Sequence, residues 1–243
     1  MKKIKKFDKF IFENMTDNLP IDVDYTYIKD KTTIDEIKKV CEDAEENNFY
    51  AVVVDSDNVS TTKAFLEDTD IKVIAAIDFP KGISKSNIKI KEALEAITND
   101  VDEIDFTFNY TALKQLSIIK EDEYQNAYDK LLDEIKSVSR LCHKNGVILK
   151  VIIEIEEITY DQLQIACEIC VKGGVDFVQT STGFTKKNKP FFEKVEKIKY
   201  MRKILPNYIK IKASGGIRSY QQIEELRNLV DRIGTSVIIK NMK

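Results

Sequence analysis

Runs of continuous apolar character recur along the chain at residues 22–26, 50–55, 71–77, 101–108, 147–155, 175–179, 208–213 and 232–239. Most are too uniformly apolar to leave one face in water, the pattern of parallel strands covered on both sides. Between them the apolar residues return at helical spacing. Ile34, Ile37, Cys41 and Ala44 share one predicted face, and Tyr124, Ala127, Leu131, Ile135 and Val138 share another in the longest helix. Thr33 with Glu36 and Thr159 with Gln162 read as capping boxes, each setting a hydroxyl against the third helical residue. The second of these helices runs into Gly173-Gly174, which suits a left-handed C-cap. Eight strand–helix units with short connections and no compositional break predict a single (β/α)8 TIM barrel in one domain, 1–243, with 1–20 as an N-terminal extension or helix. A doubly wound open sheet is the alternative arrangement of the same elements.

Composition narrows the function classes. A chain of 243 residues buries roughly 70% or more of its extended surface on folding, enough for one large core. Charged residues make up 33% of it at a net charge of -3, so no field of one sign argues for nucleic acid. The basic "MKKIKK" leads into "FDKFIF" with no apolar run long enough for a signal peptide or a span. The expectation is a cytoplasmic protein that binds neither membrane nor nucleic acid. Cys167 and Cys170 form a C-x-x-C within a helical pattern, but no second cysteine pair follows, and the one histidine, His143, lies upstream at a helix end. Buried thiols and a last-turn cation are the readings taken, and neither a metal nor a cofactor is expected.

Chemistry in a barrel sits at the C-terminal ends of the strands. Those positions hold Asp24, Asp55, Asp78, Asp105, Glu154, Gln179, Lys212 and the Thr235-Ser236 pair, with Lys150 earlier on the fifth strand. A lysine on a buried strand is costly unless paired or neutral. Lys212 is therefore either an imine-forming amine or one half of an ion pair with Asp105 or Glu154. Asp105 is either a proton relay or the carboxylate that fixes the barrel lysines. Glu154 is expected beside Lys150 or Lys212, and Asp55 with Asp78 makes a weak metal pair without histidine support. Of eight glycines, Gly183, Gly215, Gly216 and Gly234 follow the last three strands, where barrels that handle phosphorylated substrates hold the phosphate. Gln179 stands between strand and turn, yet an amide neither attacks a carbonyl nor accepts a proton at neutral pH.

Taken together, "DYTYIK" at 24–29, "DFPKG" at 78–82, "DEIDFTFNYTALK" at 102–114, "LKVIIE" at 149–154, "DFVQTSTGF" at 176–184, "KASGGIR" at 212–218 and "RIGTS" at 232–236 resemble the deoxyribose-phosphate aldolases. These are lyases that cleave 2-deoxyribose 5-phosphate to glyceraldehyde 3-phosphate and acetaldehyde through a lysine imine. The resemblance runs from about residue 20 to the end. It implies that Asp105 relays protons, that Lys212 is the second lysine, and that Gly183, Gly215, Gly216 and Ser236 cradle phosphate, with Lys150 and Asp24 in support. It also implies that the imine-forming lysine is replaced by Gln179. Tyr25 replaces a histidine, Val53, Asp55 and Ser56 stand where Cys, Asn and Pro are common, Asp78 takes a glycine position, and Val237-Ile238 replace small residues. Three functions stay open: an aldolase using Lys212 for the imine, a silent member that binds a phosphorylated sugar or small aldehyde, and a scaffold with a protein partner at "KKNKPFFEK", 186–194. A homodimer is compatible with each.

Overall fold

The computed structural model describes residues 21–185 and 189–239; the predicted 1–20 extension and Lys186 to Asn188 of the basic stretch lie outside them. The strands are β1 Asp22–Thr26, β2 Ala51–Asp55, β3 Lys72–Ile77, β4 Glu103–Thr107, β5 Ile148–Ile152, β6 Phe177–Gln179, β7 Lys210–Ala213 and β8 Arg232–Thr235. Each predicted apolar run contains one of them, and all pair in parallel in sequence order. β8 closes onto β1, with Asp24 opposite Gly234, so the sheet is a barrel and the open-sheet alternative is excluded. The run at 232–239 overshoots, because β8 ends at Thr235, whose hydroxyl donates to the Ile217 carbonyl and accepts from the Val237 amide, turning the chain.

The helices, in chain order, are α1 Ile34–Glu46, α2 Val59–Phe65, α3 Ser86–Thr98, α4 Tyr110–Gln115, α5 Glu121–Lys144, α6 Tyr160–Gly173, α7 Phe191–Ile204 and α8 Tyr220–Leu226. Both predicted capping boxes are present, and a third, Ser219 with Gln222, opens α8. Gly174 is left-handed at φ 75° and ends α6. In α1 the apolar face is Ile37, Val40, Cys41 and Ala44, whereas Ile34 is exposed. Ile34 is the first helical residue and stands off the barrel, a correction to its predicted place in the core. In α5, Leu131, Ile135 and Val138 are buried and Tyr124 and Ala127 partly so, as their spacing predicts. Cys167 and Cys170 are buried free thiols. His143 lies in the last turn of α5, 3.0 Å from Asp176.

The main core lies between helices and barrel. Inside the barrel, Ala51, Val53, Ile74 and Ala76 on β2 and β3 form a separate apolar wall. Beside it lies an ionic cluster, with Phe177 packed against Lys150 and Arg232. Lys212 Nζ lies 2.6 Å from Asp24 and 2.7 Å from Asp105, and Asp105 reaches Lys150 at 3.0 Å. Lys150 contacts Glu103, Glu103 lies 3.5 Å from Arg232, and Arg232 returns to Asp24 at 2.8 Å. Three carboxylates and three cations thus alternate around a closed ring, all of them buried. The Arg232 guanidinium also lies 3.7 Å over the ring of Tyr50, whose hydroxyl donates to Glu103.

Desolvating six charges is tolerable because each has two opposite neighbours. Burial pushes the Asp105 carboxyl up, but attraction from Lys150 and Lys212 outweighs it and brings it down to about 2. Burial likewise pulls Lys150 down, and Asp105, Glu103 and Asp24 more than reverse that. The contribution of Asp105 to stability is complete above its ordinary value near 3.8 and is lost as pH falls through about 2.

Removing one member strands its partners. Arg232→Met leaves Asp24 and Glu103 each short of a cation and should cost about 3–5 kcal/mol in urea unfolding. Lys199→Met, which breaks the exposed pair with Glu196, should leave the midpoint unchanged.

Candidate active site

Above the ionic ring a cavity of about 410 Å³ opens at the C-terminal ends of the strands. That volume is in the range of small-molecule sites. Of the residues the sequence nominates, Asp105, Gln179, Gly183, Gly215, Gly216, Gly234, Thr235 and Ser236 line it. Lys212, Lys150 and Asp24 lie beneath, fully buried in the ring, so Asp105 links the two levels.

Other nominations are placed elsewhere. Asp78 does not face the barrel interior. It accepts from the Ser84 hydroxyl and amide and lies 3.5 Å from the buried Lys89, which pairs with Glu134 on α5. Asp55 accepts both its bonds from Asn58 and shapes the turn after β2. The weak Asp55–Asp78 pairing weighed for a metal is therefore spent on loop structure, and no cluster of three or more potential metal ligands occurs among the described residues. Glu154 pairs with neither Lys150 nor Lys212, because Glu103 and Asp105 already occupy the first and Asp24 and Asp105 the second.

Gln179 ends β6 and is 4% exposed. Its Nε2 donates to Ser214 Oγ at 3.0 Å, and that hydroxyl donates in turn to the Ser181 carbonyl at 2.6 Å. The loops after β6 and β7 are stitched together here, since Thr180 Oγ1 donates to the Ser214 carbonyl and accepts from the Ser214 amide. Lys194 of α7 clamps the same seam from behind: its Nζ reaches Ser181 Oγ, the Ser214 carbonyl and Glu156. Gly183 and Gly215 are where the two backbones meet. Both have positive φ, and a Cβ on Gly215 would stand 2.9 Å from the Gly183 amide nitrogen.

The β6 loop has a second anchor. Glu154 follows β5 in a left-handed conformation at φ 54°, uncommon for a glutamate. Its Oε2 accepts from the Thr182 hydroxyl at 2.5 Å and the Thr182 amide at 3.2 Å, while its Oε1 is buried without a partner. Burial raises this carboxyl, the Thr182 hydroxyl draws it back, and nearby Glu156 raises it again, to about 7. At the opposite rim Phe79 and Phe184 meet edge to face at 5.2 Å.

Sequence reasoning missed Glu103 and Arg232. Each begins a strand instead of ending one, and the signal was present as a charge inside an apolar run. It also missed Ser214, which no pattern distinguishes from an ordinary turn serine.

The sequence profile of the DeoC/LacD family aldolases matches residues 16–234. The deoxyribose-phosphate aldolase of Caldicellulosiruptor saccharolyticus is 38% identical over 217 residues, 88% of this chain and 92% of that protein. The one from Thermococcus kodakarensis is 36% identical over 221 residues, 90% of this chain and 92% of its own. Among solved structures, the aldolase QR15 superposes with a TM-score of 0.76 at 31% identity, covering 88% of this chain and 89% of that one. A deoxyribose-phosphate aldolase from Aeropyrum pernix, described as tetrameric, shares the fold at a TM-score of 0.75 and 22% identity over 93% of this chain and 92% of its own. With this agreement over most of its length, the chain belongs to the DeoC/LacD family of aldolases.

Proposed function

We propose that the cavity takes a phosphorylated sugar or small aldehyde of the kind deoxyribose-phosphate aldolases handle, with Gln179 in the position of the imine-forming lysine. Carbon–carbon cleavage is then weak or absent. The observation that carries this reading is Gln179 itself: a buried carboxamide, held by Ser214, lining the same cavity as Asp105. A carboxamide nitrogen has its lone pair in resonance and forms no imine. Phosphate goes to the loops of Gly183, Gly215, Gly216 and Ser236, where exposed backbone and the Arg218 side chain line one end of the cavity. Asp105 is the one ring carboxylate that lines the cavity, so moving a proton on a bound ligand would fall to it, against the two ammoniums that hold it ionised.

A second reading gives the imine to Lys212. Its Nζ is within bonding distance of both Asp24 and Asp105, and the side chain is fully buried below the cavity. Attack on a carbonyl requires it to leave both carboxylates, which favours the first reading. Lys150 is committed in the same way to Glu103 and Asp105. For the scaffold reading, Phe191 packs partly against the core while Phe192 is exposed. This is the arrangement an ordinary helix start produces, and no observation favours a protein partner over it.

Gln179→Lys should raise acetaldehyde release from 2-deoxyribose 5-phosphate by on the order of 10²-fold or more over wild type. Borohydride should then trap an adduct on residue 179. An adduct on Lys212 of the wild-type protein would instead establish the second reading.

Glu154 gives a pH test of the loop that forms the cradle. Its folded value of about 7 lies above the ordinary 4.5, so its contribution to stability is complete below about 4.5 and is lost as pH rises through 7. Glu154→Gln, which cannot ionise, should therefore gain on wild type by up to roughly 3 kcal/mol between those limits, read from urea midpoints across pH. Parallel curves would mean that the carboxylate is solvated in solution.

A further inference from the structure

The orientation of the Gln179 amide can be fixed by following protons. Ser214 Oγ has one proton, and it goes to the Ser181 carbonyl at 2.6 Å. Towards Gln179 the hydroxyl can therefore only accept, so the amide must turn its NH2 to Ser214 and its carbonyl away. The Thr180–Ser214 bonds and the Lys194 clamp hold Ser214 in place, so the amide is set by its surroundings. The outcome is a buried carbonyl oxygen, Gln179 Oε1, with no hydrogen-bond partner, on a residue that lines the cavity. Neither ring lysine is its partner: Lys212 Nζ lies on Asp24 and Asp105, and Lys150 Nζ on Glu103 and Asp105. Leaving a buried acceptor unpaired is a penalty that a ligand can recover by donating to it.

We infer that the cavity is built to read a hydroxyl where an imine-forming site reads a carbonyl, and that its ligand is a phosphorylated polyol or hemiacetal with a donor O–H against Gln179 Oε1. The inference rests on the reading of the cavity as a sugar-phosphate site. It adds which functional group the far end of the ligand carries. An amine at position 179 would favour an electrophilic carbon. The amide carbonyl is an acceptor alone, so a free aldehyde or ketone there sets oxygen against oxygen and leaves the acceptor unpaired. With phosphate at the glycine loops, the end of a pentose 5-phosphate that meets residue 179 is C1. The matched group is therefore a C1 hydroxyl, in an alditol or in the closed ring of the sugar. No covalent bond is made or broken.

Two ligands that differ by one oxygen test this: 2-deoxyribitol 5-phosphate and its 1-deoxy analogue, in which a methyl replaces the C1 hydroxymethyl. Calorimetric titration of the wild-type protein should give tighter binding of the alditol, by roughly tenfold or more. In Gln179→Met, which keeps the length of the side chain but has no acceptor, the two affinities should converge. Ser214→Ala, which frees the amide to turn, should narrow the gap without abolishing binding. The wild-type comparison stands by itself should either variant fail to fold. Equal affinities in wild type would overturn the inference while leaving the sugar-phosphate reading intact. If neither compound binds while inorganic phosphate does, the hydroxyl assignment fails. If inorganic phosphate does not bind either, the sugar-phosphate reading fails with it.

Discussion

The arrangement of this barrel depends on a constraint at its centre: six charged side chains must neutralise one another with almost no help from water. Asp24, Glu103 and Asp105 alternate with Lys212, Arg232 and Lys150 so that every group has two counter-charges. Such a ring is weak evidence of stability, since apolar residues of equal volume would avoid the desolvation altogether. Its geometry also fixes the register of the strands, because β1, β4, β5, β7 and β8 each present a charge at a height set by pairing. A slip of one residue would turn that charge outward. Both lysines that the chemistry could recruit are consumed in this balance, and Asp105 alone carries its influence up into the cavity.

The upper level is built differently. There the backbone does most of the work, and side chains hold it in shape. Gly183 and Gly215 bring two loops into backbone contact, Thr180 and Ser214 bond them, Glu154 anchors Thr182, and Lys194 ties the seam to α7. Arg218 lines the cavity with these loops, and the lysines below already neutralise Asp105, the ring carboxylate that faces it. The two levels therefore separate two tasks, charge balance within and recognition above.

How much of this was legible in the sequence follows from what each signal measures. Strand positions were clear because a strand covered on both faces must be apolar throughout, and the closed order followed from eight units with short connections. Strand ends were less clear, since Thr235 ends β8 with a side-chain bond that hydropathy does not register. Ile34 shows the limit of periodicity: it has the spacing of the α1 core face but begins the helix beyond the edge of the barrel. The members of the charge ring were half visible. Asp24, Asp105, Lys150 and Lys212 drew attention as candidate chemistry, whereas Glu103 and Arg232 lay at strand starts, where a search for catalytic groups does not look. Partnership was the hardest to read, because Glu154 and Lys212 are both buried near the cavity, yet local backbone sends one to Thr182 and the other to Asp24.

Gln179 lines the cavity above this ring and bonds to Ser214. The ring below is already neutral, so position 179 needs no charge to complete it. A neutral side chain of similar reach fits without disturbing the pairs. A carboxamide has two unlike ends, however, and an amide free to turn would present a donor or an acceptor indiscriminately. Ser214 removes that freedom because its own proton is committed to Ser181. The orientation of the amide is thus decided by a serine whose sequence context looks unremarkable, because that neighbouring hydroxyl has nothing left to donate.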